Sequence, residues 1–104
     1  MLRMERVYTV KEIKETLQPI FTENAVYKAT LFGSYAKGLA TNKSDIDIVI
    51  DSQGELLNIN FYGLLEQLVT ALNAKVDLLE ASEIKKDSPI YKEIQKEGVV
   101  LYAK

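Results

Sequence analysis

The residues best suited to chemistry in this sequence are Gly33-Ser34 and, after ten further residues, Asp45-Ile46-Asp47. The two aspartates belong to segment 45–50, which reads Asp-Ile-Asp-Ile-Val-Ile and is typical of a β-strand. Side chains two apart on a strand point to the same face, so both carboxylates leave one face and the isoleucines pack on the other. Two convergent carboxylates are ligands that a hard cation such as Mg²⁺ prefers.

Gly33-Ser34 is predicted to open a short helical turn, which offers backbone N–H groups and a hydroxyl to a phosphate. The alternative is an ordinary strand-to-helix turn, with glycine for backbone freedom and Ser34 as N-cap. For Asp45 and Asp47 the alternative is a solvated strand face. Metal binding is favoured because aspartate is depleted in strands, and because two like charges on one face repel unless a cation lies between them. No other charge-balancing group is expected near the pair.

Other polar residues near these motifs have simpler explanations as well. Asp77 lies in the apparent strand 75–79, where Val76 and Leu78 face the opposite way, so its carboxylate is expected on a polar face. Loop polarity accounts for Lys37, Lys43 and Ser44, although the two lysines could also neutralise a triphosphate. Two further residues receive other interpretations. Asp51 is interpreted as a strand-end turn residue, and Tyr35 as either a packing residue or a contact to a nucleotide or partner.

Helices and strands are predicted to alternate around one central sheet, which places the chain in the α/β or α+β class. The predicted strands are residues 26–32, 45–50, 75–79 and 99–102. A first helix begins at a capping box formed by Thr9 and Glu12, and Pro19 is expected to kink or end it. Helical periodicity then links Phe61, Leu65, Leu68 and Leu72. A last helix is expected between Ser88-Pro89 and Gly98.

Composition narrows the possible functions. A chain of 104 residues is expected to form one domain, residues 1–104. It contains no Cys and no His, which excludes disulfides, thiolate metal sites and Ser-His catalysis. The net charge of −2 does not indicate nucleic-acid binding. No apolar run predicts a membrane span, and the first residues lack the apolar core of a signal peptide, so a cytoplasmic location is expected.

Residues 33–38, Gly-Ser-Tyr-Ala-Lys-Gly, followed by 44–47, Ser-Asp-Ile-Asp, resemble the minimal nucleotidyltransferase (MNT) family of the DNA polymerase β superfamily. The resemblance covers nearly the whole chain and departs at Lys37, where many relatives carry Arg. It implies a polymerase-β-like fold, a small mixed sheet with helices packed on it. It also implies three catalytic and metal-binding carboxylates, Asp45, Asp47 and Asp77. The residues implied in nucleotide binding are Gly33, Ser34, Lys37 and Ser44.

The same resemblance implies transfer of AMP from ATP to a hydroxyl, with two Mg²⁺ ions as cofactors. Larger family members hold their acceptor in a further domain, and a chain of this size resembles the antitoxin half of a HEPN–MNT toxin–antitoxin pair. The implied acceptor is then a tyrosine of a HEPN-domain toxin. Two alternatives stay open: an antitoxin that neutralises the ribonuclease by binding alone, and an antibiotic nucleotidyltransferase, which the short chain disfavours.

Overall fold

One four-stranded sheet organises the protein, whose computed structural model describes residues 6–104. The strands are β1 (Lys28–Phe32), β2 (Ile46–Asp51), β3 (Val76–Glu80) and β4 (Val99–Ala103). They lie in the order β3-β2-β1-β4, with β1 antiparallel to both of its neighbours and β3 parallel to β2. The predicted small mixed sheet is therefore confirmed.

Within residues 6–104, helix α1 (Val10–Glu23) precedes the first strand, and three helices lie between successive strands: α2 (Gly33–Lys37), α3 (Ile59–Leu72) and α4 (Pro89–Glu97). A 3-10 turn, Ala81–Glu83, follows β3. None of the helices in residues 6–104 is long and apolar enough to cross a bilayer.

Helix α1 begins at the predicted capping box. The Glu12 N–H donates to Thr9 Oγ1 at 3.0 Å, and the Thr9 N–H donates to Glu12 Oε1 at 2.9 Å. The helix continues through Pro19 to Glu23, so the expectation that Pro19 could end it is wrong. Proline removes one backbone hydrogen bond. The fully buried residues of α1 lie on both sides of the proline and hold the helix on the sheet; they are Ile13, Leu17 and Phe21.

The hydrophobic core lies between one face of the sheet and helices α1 and α3. The isoleucines of β2 are fully buried on this face, as their alternation predicts: Ile46, Ile48 and Ile50. They belong to one cluster with the buried residues of α3, which are Leu64, Leu68 and Leu72. Because alternate residues of β2 are committed to this core, Asp47 is directed to the other face.

Helix α4 packs on that other face, against β1. It begins as predicted at Ser88, whose Oγ accepts a hydrogen bond from the Tyr91 N–H at 3.2 Å, and it ends at Gly98. The approach to β1 is close at Gly98, where an added Cβ would lie 2.8 Å from Thr30 Cγ2. Helix α4 thereby covers the part of the polar face formed by β1, and Asp47 and Asp77 lie beside it on β2 and β3.

Strand boundaries differ from the predicted ones by one or two residues. Strand β1 begins at Lys28 and not at residue 26, although the Tyr27 N–H already donates to the Asp51 carbonyl at 2.8 Å. Strand β2 begins at Ile46, one residue later than predicted, and ends at Asp51. The interpretation of Asp51 as a strand-end residue is confirmed, because its Oδ1 accepts from the Gln53 N–H at 3.0 Å.

Candidate active site

Asp47 and Asp77 lie side by side on neighbouring strands. They are paired positions in the parallel register of β2 and β3, so their side chains leave the same face of the sheet. Asp77 is exposed between the buried residues Val76 and Leu78, as the alternation predicts. The structure therefore brings together two carboxylates that are thirty residues apart in the sequence.

Asp45 lies immediately before β2. Its Oδ2 is 3.7 Å from the Nζ of Lys75, the residue that precedes β3. The expectation that no cation lies near the aspartate pair is thus wrong for Asp45. The Lys75 side chain is 82% exposed, however, and an ion pair in such a position is weak because solvent screens it.

Burial and neighbouring negative charge change the titration of Asp47. Burial is the main cause that raises the pKa of the Asp47 carboxyl from 3.8 to about 6. Neighbouring carboxylates raise this pKa further, in decreasing order those of Asp77, Asp45 and Glu93. The ionised form of Asp47 is therefore disfavoured in the folded protein, and a bound cation would offset this cost.

The carboxylates offer the oxygen ligands that a divalent cation needs, without forming a finished cage. Across residues 6–104 the structure has no group of three or more Asp, Glu, His or Cys side chains arranged to hold a metal ion. Mutual repulsion keeps uncompensated carboxylates apart. Hard cations prefer such oxygen ligands, so Asp47 and Asp77, with Asp45 two residues along the chain, are the residues that could hold Mg²⁺.

Gly33 meets Asp47 directly. Its φ of +73° is a conformation that favours glycine, and an added Cβ would lie 2.2 Å from Asp47 Oδ2. The nearby Asp47 carboxylate thus requires a residue without a side chain at position 33. The sequence motif indicated only that the backbone of Gly33 could approach a phosphate closely. Phe32 and not Ser34 occupies the N-cap position of α2, and no side chain among residues 6–104 caps that end. The interpretation of Ser34 as an N-cap is therefore wrong.

Glu93 of α4 is a site residue that the sequence did not indicate. Its Oε2 accepts a hydrogen bond from the Gly33 N–H at 3.1 Å, and its Oε1 lies 3.3 Å from Lys37 Nζ. Both side chains are about one-third exposed, at 32% for Lys37 and 33% for Glu93. In the sequence Glu93 lies among the charged residues of an amphipathic helix, a pattern that favours a solvated position.

The remaining predicted residues surround Asp45. Ser44 directs its hydroxyl to its own loop, where Oγ accepts from the Thr41 N–H at 2.9 Å. Tyr35 is only 5% exposed, in agreement with the packing interpretation. Both line a cavity of about 290 Å³ that also reaches Lys43, Asp45 and Lys75. Ser44 is therefore adjacent to Asp45, and its hydroxyl bonds its own loop and not the Gly33-Ser34 turn.

A mixed sheet that pairs two aspartates beside a glycine turn is the arrangement of a nucleotidyltransferase. The pattern of the family described as "Polymerase beta, Nucleotidyltransferase" matches residues 13–104. The chain belongs to this family, and the predicted resemblance and fold are confirmed.

Within this family the chain is similar to proteins named protein adenylyltransferases. MntA of Thermococcus cleftensis is 32% identical over 95% of this chain and 96% of the relative. A protein adenylyltransferase of Methanocaldococcus jannaschii is 35% identical over 79% of this chain and 96% of the relative. These matches confirm the predicted enzyme class, a nucleotidyltransferase of the adenylyl-transferring type.

Solved structures of toxin–antitoxin complexes share the fold. A toxin–antitoxin crystal structure with AMP-PNP matches with a TM-score of 0.75 and 26% identity, over 88% of this chain and 73% of the other. A chain from the complex of tri-AMPylated Shewanella oneidensis HEPN toxin with MNT antitoxin has a TM-score of 0.70 and 22% identity, covering 92% and 74%. The second match shows the shared fold alone.

Proposed function

We propose that this protein is an antitoxin that transfers AMP from ATP to a tyrosine hydroxyl of a HEPN-domain toxin. The observation that carries the proposal is the pairing of Asp47 with Asp77 beside Gly33, on a chain that belongs to the nucleotidyltransferase family. Similar proteins are named protein adenylyltransferases, and a similar chain was solved in a toxin–antitoxin complex with AMP-PNP. The HEPN class of the partner is proposed from the resemblance of the sequence to HEPN–MNT antitoxins, and a chain from the complex of MNT antitoxin with AMPylated HEPN toxin shares the fold.

Asp45, Asp47 and Asp77 are the proposed ligands of Mg²⁺. The support is the concentration of carboxylates on one face of the sheet. Burial is the main cause that raises the pKa of Asp47 to about 6, and the neighbouring carboxylates raise it further. When bound, two Mg²⁺ ions would promote loss of the acceptor proton and neutralise charge on the attacking and leaving oxygens.

The chain's own residues position the nucleotide. Gly33 and Ser34 are proposed to donate to distal phosphate oxygens, and Lys37 to place its ammonium beside them. Ser44 is proposed to contact the phosphates through its loop, which ends next to Asp45. Positioning and electrostatic stabilisation supply most of the rate enhancement in phosphoryl chemistry, so these residues act mainly by holding the triphosphate in line with the acceptor.

In the proposed reaction the tyrosine oxygen forms a bond to the α-phosphorus of ATP. The bond from that phosphorus to the bridging oxygen breaks, and pyrophosphate leaves. A free tyrosine has a pKa of about 10, so its proton must be drawn off as the bond forms. Asp77 is exposed and lies beside Asp47, a position from which its carboxylate can face the acceptor hydroxyl of a bound partner.

The test is mass spectrometry of a HEPN-domain partner after incubation with this protein, ATP and Mg²⁺. We expect the partner to gain the mass of AMP on tyrosine. Asp77→Asn should abolish the gain while the two proteins still form a complex. Asp51→Asn is the matched control, because Asp51 lies at the far end of β2 and its side chain accepts a hydrogen bond from its own turn. This variant should transfer AMP normally.

Neutralisation by binding alone is the competing function, and the same experiment separates the two. If the HEPN ribonuclease is silenced equally by the wild type and by Asp77→Asn, with no mass added, the transfer proposal is wrong. We further propose that residues 1–104 act as a single domain and that the protein acts in the cytoplasm, where ATP and Mg²⁺ are available.

A further inference from the structure

The Glu93 carboxylate bonds to two of the donors proposed for the triphosphate. One oxygen accepts from the Gly33 N–H at 3.1 Å, and the other lies 3.3 Å from the Lys37 ammonium. Neither contact is local in sequence, because α4 brings Glu93 from sixty residues beyond Gly33. A carboxylate thus occupies, in this structure, the position assigned to a phosphate group.

Glu93 and a phosphate compete for the Gly33 N–H and for the charge of Lys37. The Gly33 N–H carries one hydrogen, and a carboxylate and a phosphate are both anions that accept it. Glu93 also adds negative charge to the surroundings of Asp47, where the aspartates already repel one another. A triphosphate entering the site must therefore either displace Glu93 from the Gly33 N–H or forgo that donor, and it shares the charge of Lys37 as long as Glu93 stays.

We infer that Glu93 is an internal competitor that holds the phosphate donors in the nucleotide-free protein and withdraws when ATP binds. The inference rests on the proposed function, since it assigns regulation to the same site. Nucleotide binding then breaks the pair between Glu93 and Lys37, and it moves one negative charge away from the metal-binding aspartates.

The withdrawal takes place in the side chain and not by movement of the helix. Helix α4 has its first turn ordered by the cap from Ser88 to Tyr91. It is held at its end by the close packing of Gly98 on Thr30. The Glu93 side chain is one-third exposed and has open solvent on one side into which it can rotate. Glutamate has several rotamers available, so this movement is small and fast.

Calorimetry with AMP-PNP and Mg²⁺ tests the inference on three full-length proteins: the wild type, Glu93→Gln and Glu97→Gln. Glutamine keeps the length of the side chain but loses the charge that pairs with Lys37. A competitor lowers the apparent affinity in proportion to the fraction of protein in which the site is free. We therefore expect Glu93→Gln to bind AMP-PNP about tenfold more tightly. The exposed Glu97, one turn further along α4, is the matched control and should leave the Kd unchanged.

A second variant and a second readout keep the result interpretable if Glu93→Gln folds poorly. Glu93→Asp keeps the charge but is one methylene too short to reach Gly33, and it should also bind AMP-PNP more tightly. In the wild type, the amide resonance of Gly33 should shift on adding AMP-PNP. Both variants should already show a shifted Gly33 resonance without nucleotide.

An unchanged or weaker affinity in Glu93→Gln, with normal binding by the wild type, overturns the inference and makes Glu93 a positioning residue for Lys37. The proposed function survives that result. Absence of AMP-PNP binding in the wild type and in all variants has a different meaning. It contradicts the nucleotide site itself, and the inference falls with it.

Discussion

Gly33 and Asp47 fit against each other so closely that a Cβ at position 33 would lie 2.2 Å from Asp47 Oδ2. Position 47 is paired with Phe32 in the antiparallel register of β1 and β2, and Gly33 follows at once. The turn after β1 and the carboxylate on β2 are therefore one structural unit, in which the absent side chain of the glycine leaves room for the aspartate.

Gly33→Ala should consequently disturb both the fold and the carboxylate. We expect a loss of about 2–4 kcal/mol in the free energy of unfolding, from the positive φ together with the displacement of Asp47. Gly38→Ala is the matched control, because Gly38 has a φ of +75° but nothing within 4 Å of an added Cβ. It should cost only about 1–2 kcal/mol. Urea unfolding of the two variants measures the difference, and equal losses would mean that contact with Asp47 contributes nothing.

Without Mg²⁺, the contribution of Asp47 to the free energy of unfolding should become less favourable as pH rises from 4 to 7. The folded protein raises the pKa of Asp47 from 3.8 to about 6, so the ionised form is disfavoured in the folded state. The Asp47 carboxyl destabilises the folded protein little below pH 3.8, and its unfavourable contribution is complete once pH exceeds 6. After allowance for solvent screening, the loss is about 1 kcal/mol. Unfolding curves at several pH values measure it.

Asp47→Asn removes this pH-dependent loss. The variant should be about 1 kcal/mol more stable than the wild type at pH 8 in the absence of Mg²⁺, and nearly equal to it at pH 4. Mg²⁺ should stabilise the wild type at pH 8 but not the variant, and Mg²⁺-dependent binding of AMP-PNP should be lost. A variant that is less stable at pH 8, or that keeps the response to Mg²⁺, contradicts this role for Asp47.

Ser34→Ala should slow AMP transfer without unfolding the protein. The loss expected for one hydrogen bond to a charged phosphate is about 1–3 kcal/mol in the barrier for transfer. Ser82→Ala is the control, because Ser82 is exposed in the 3-10 turn after β3. Initial rates with a HEPN partner compare the two. Equal, wild-type rates in both variants would leave the Gly33-Ser34 turn with a purely structural role.

Glu80 should matter for stability and not for catalysis. It is 5% exposed, and its carboxylate accepts hydrogen bonds from the Ser52 N–H at 3.2 Å and the Ser52 hydroxyl at 2.9 Å. Glu80→Ala leaves these buried donors without their acceptor and should cost about 2–3 kcal/mol of unfolding free energy. Glu83→Ala, at an exposed position nearby, should cost less than about 0.5 kcal/mol. A stable Glu80→Ala variant would show that water replaces the carboxylate.

Features that depend on local sequence could be predicted. The alternation of isoleucine and aspartate in β2 determined which face is buried, because a strand reverses its side chains at every residue. The capping box at Thr9 and the Ser88-Pro89 start of α4 were also predicted, since they need only neighbouring residues. Where local signals were in competition, as at Pro19, the packing of α1 on both sides of the proline decided the result.

Only the tertiary structure decided how the site is assembled. The pairing of Asp47 with Asp77 depends on the parallel register of β2 and β3. Helix α3 separates these two strands in the sequence, so no local signal sets their register. The contact from Glu93 to Gly33 depends on how α4 docks across β1. Sequence patterns report what a segment prefers by itself. These contacts join segments that are distant in the chain, and packing energy summed over the whole core determines which of them form.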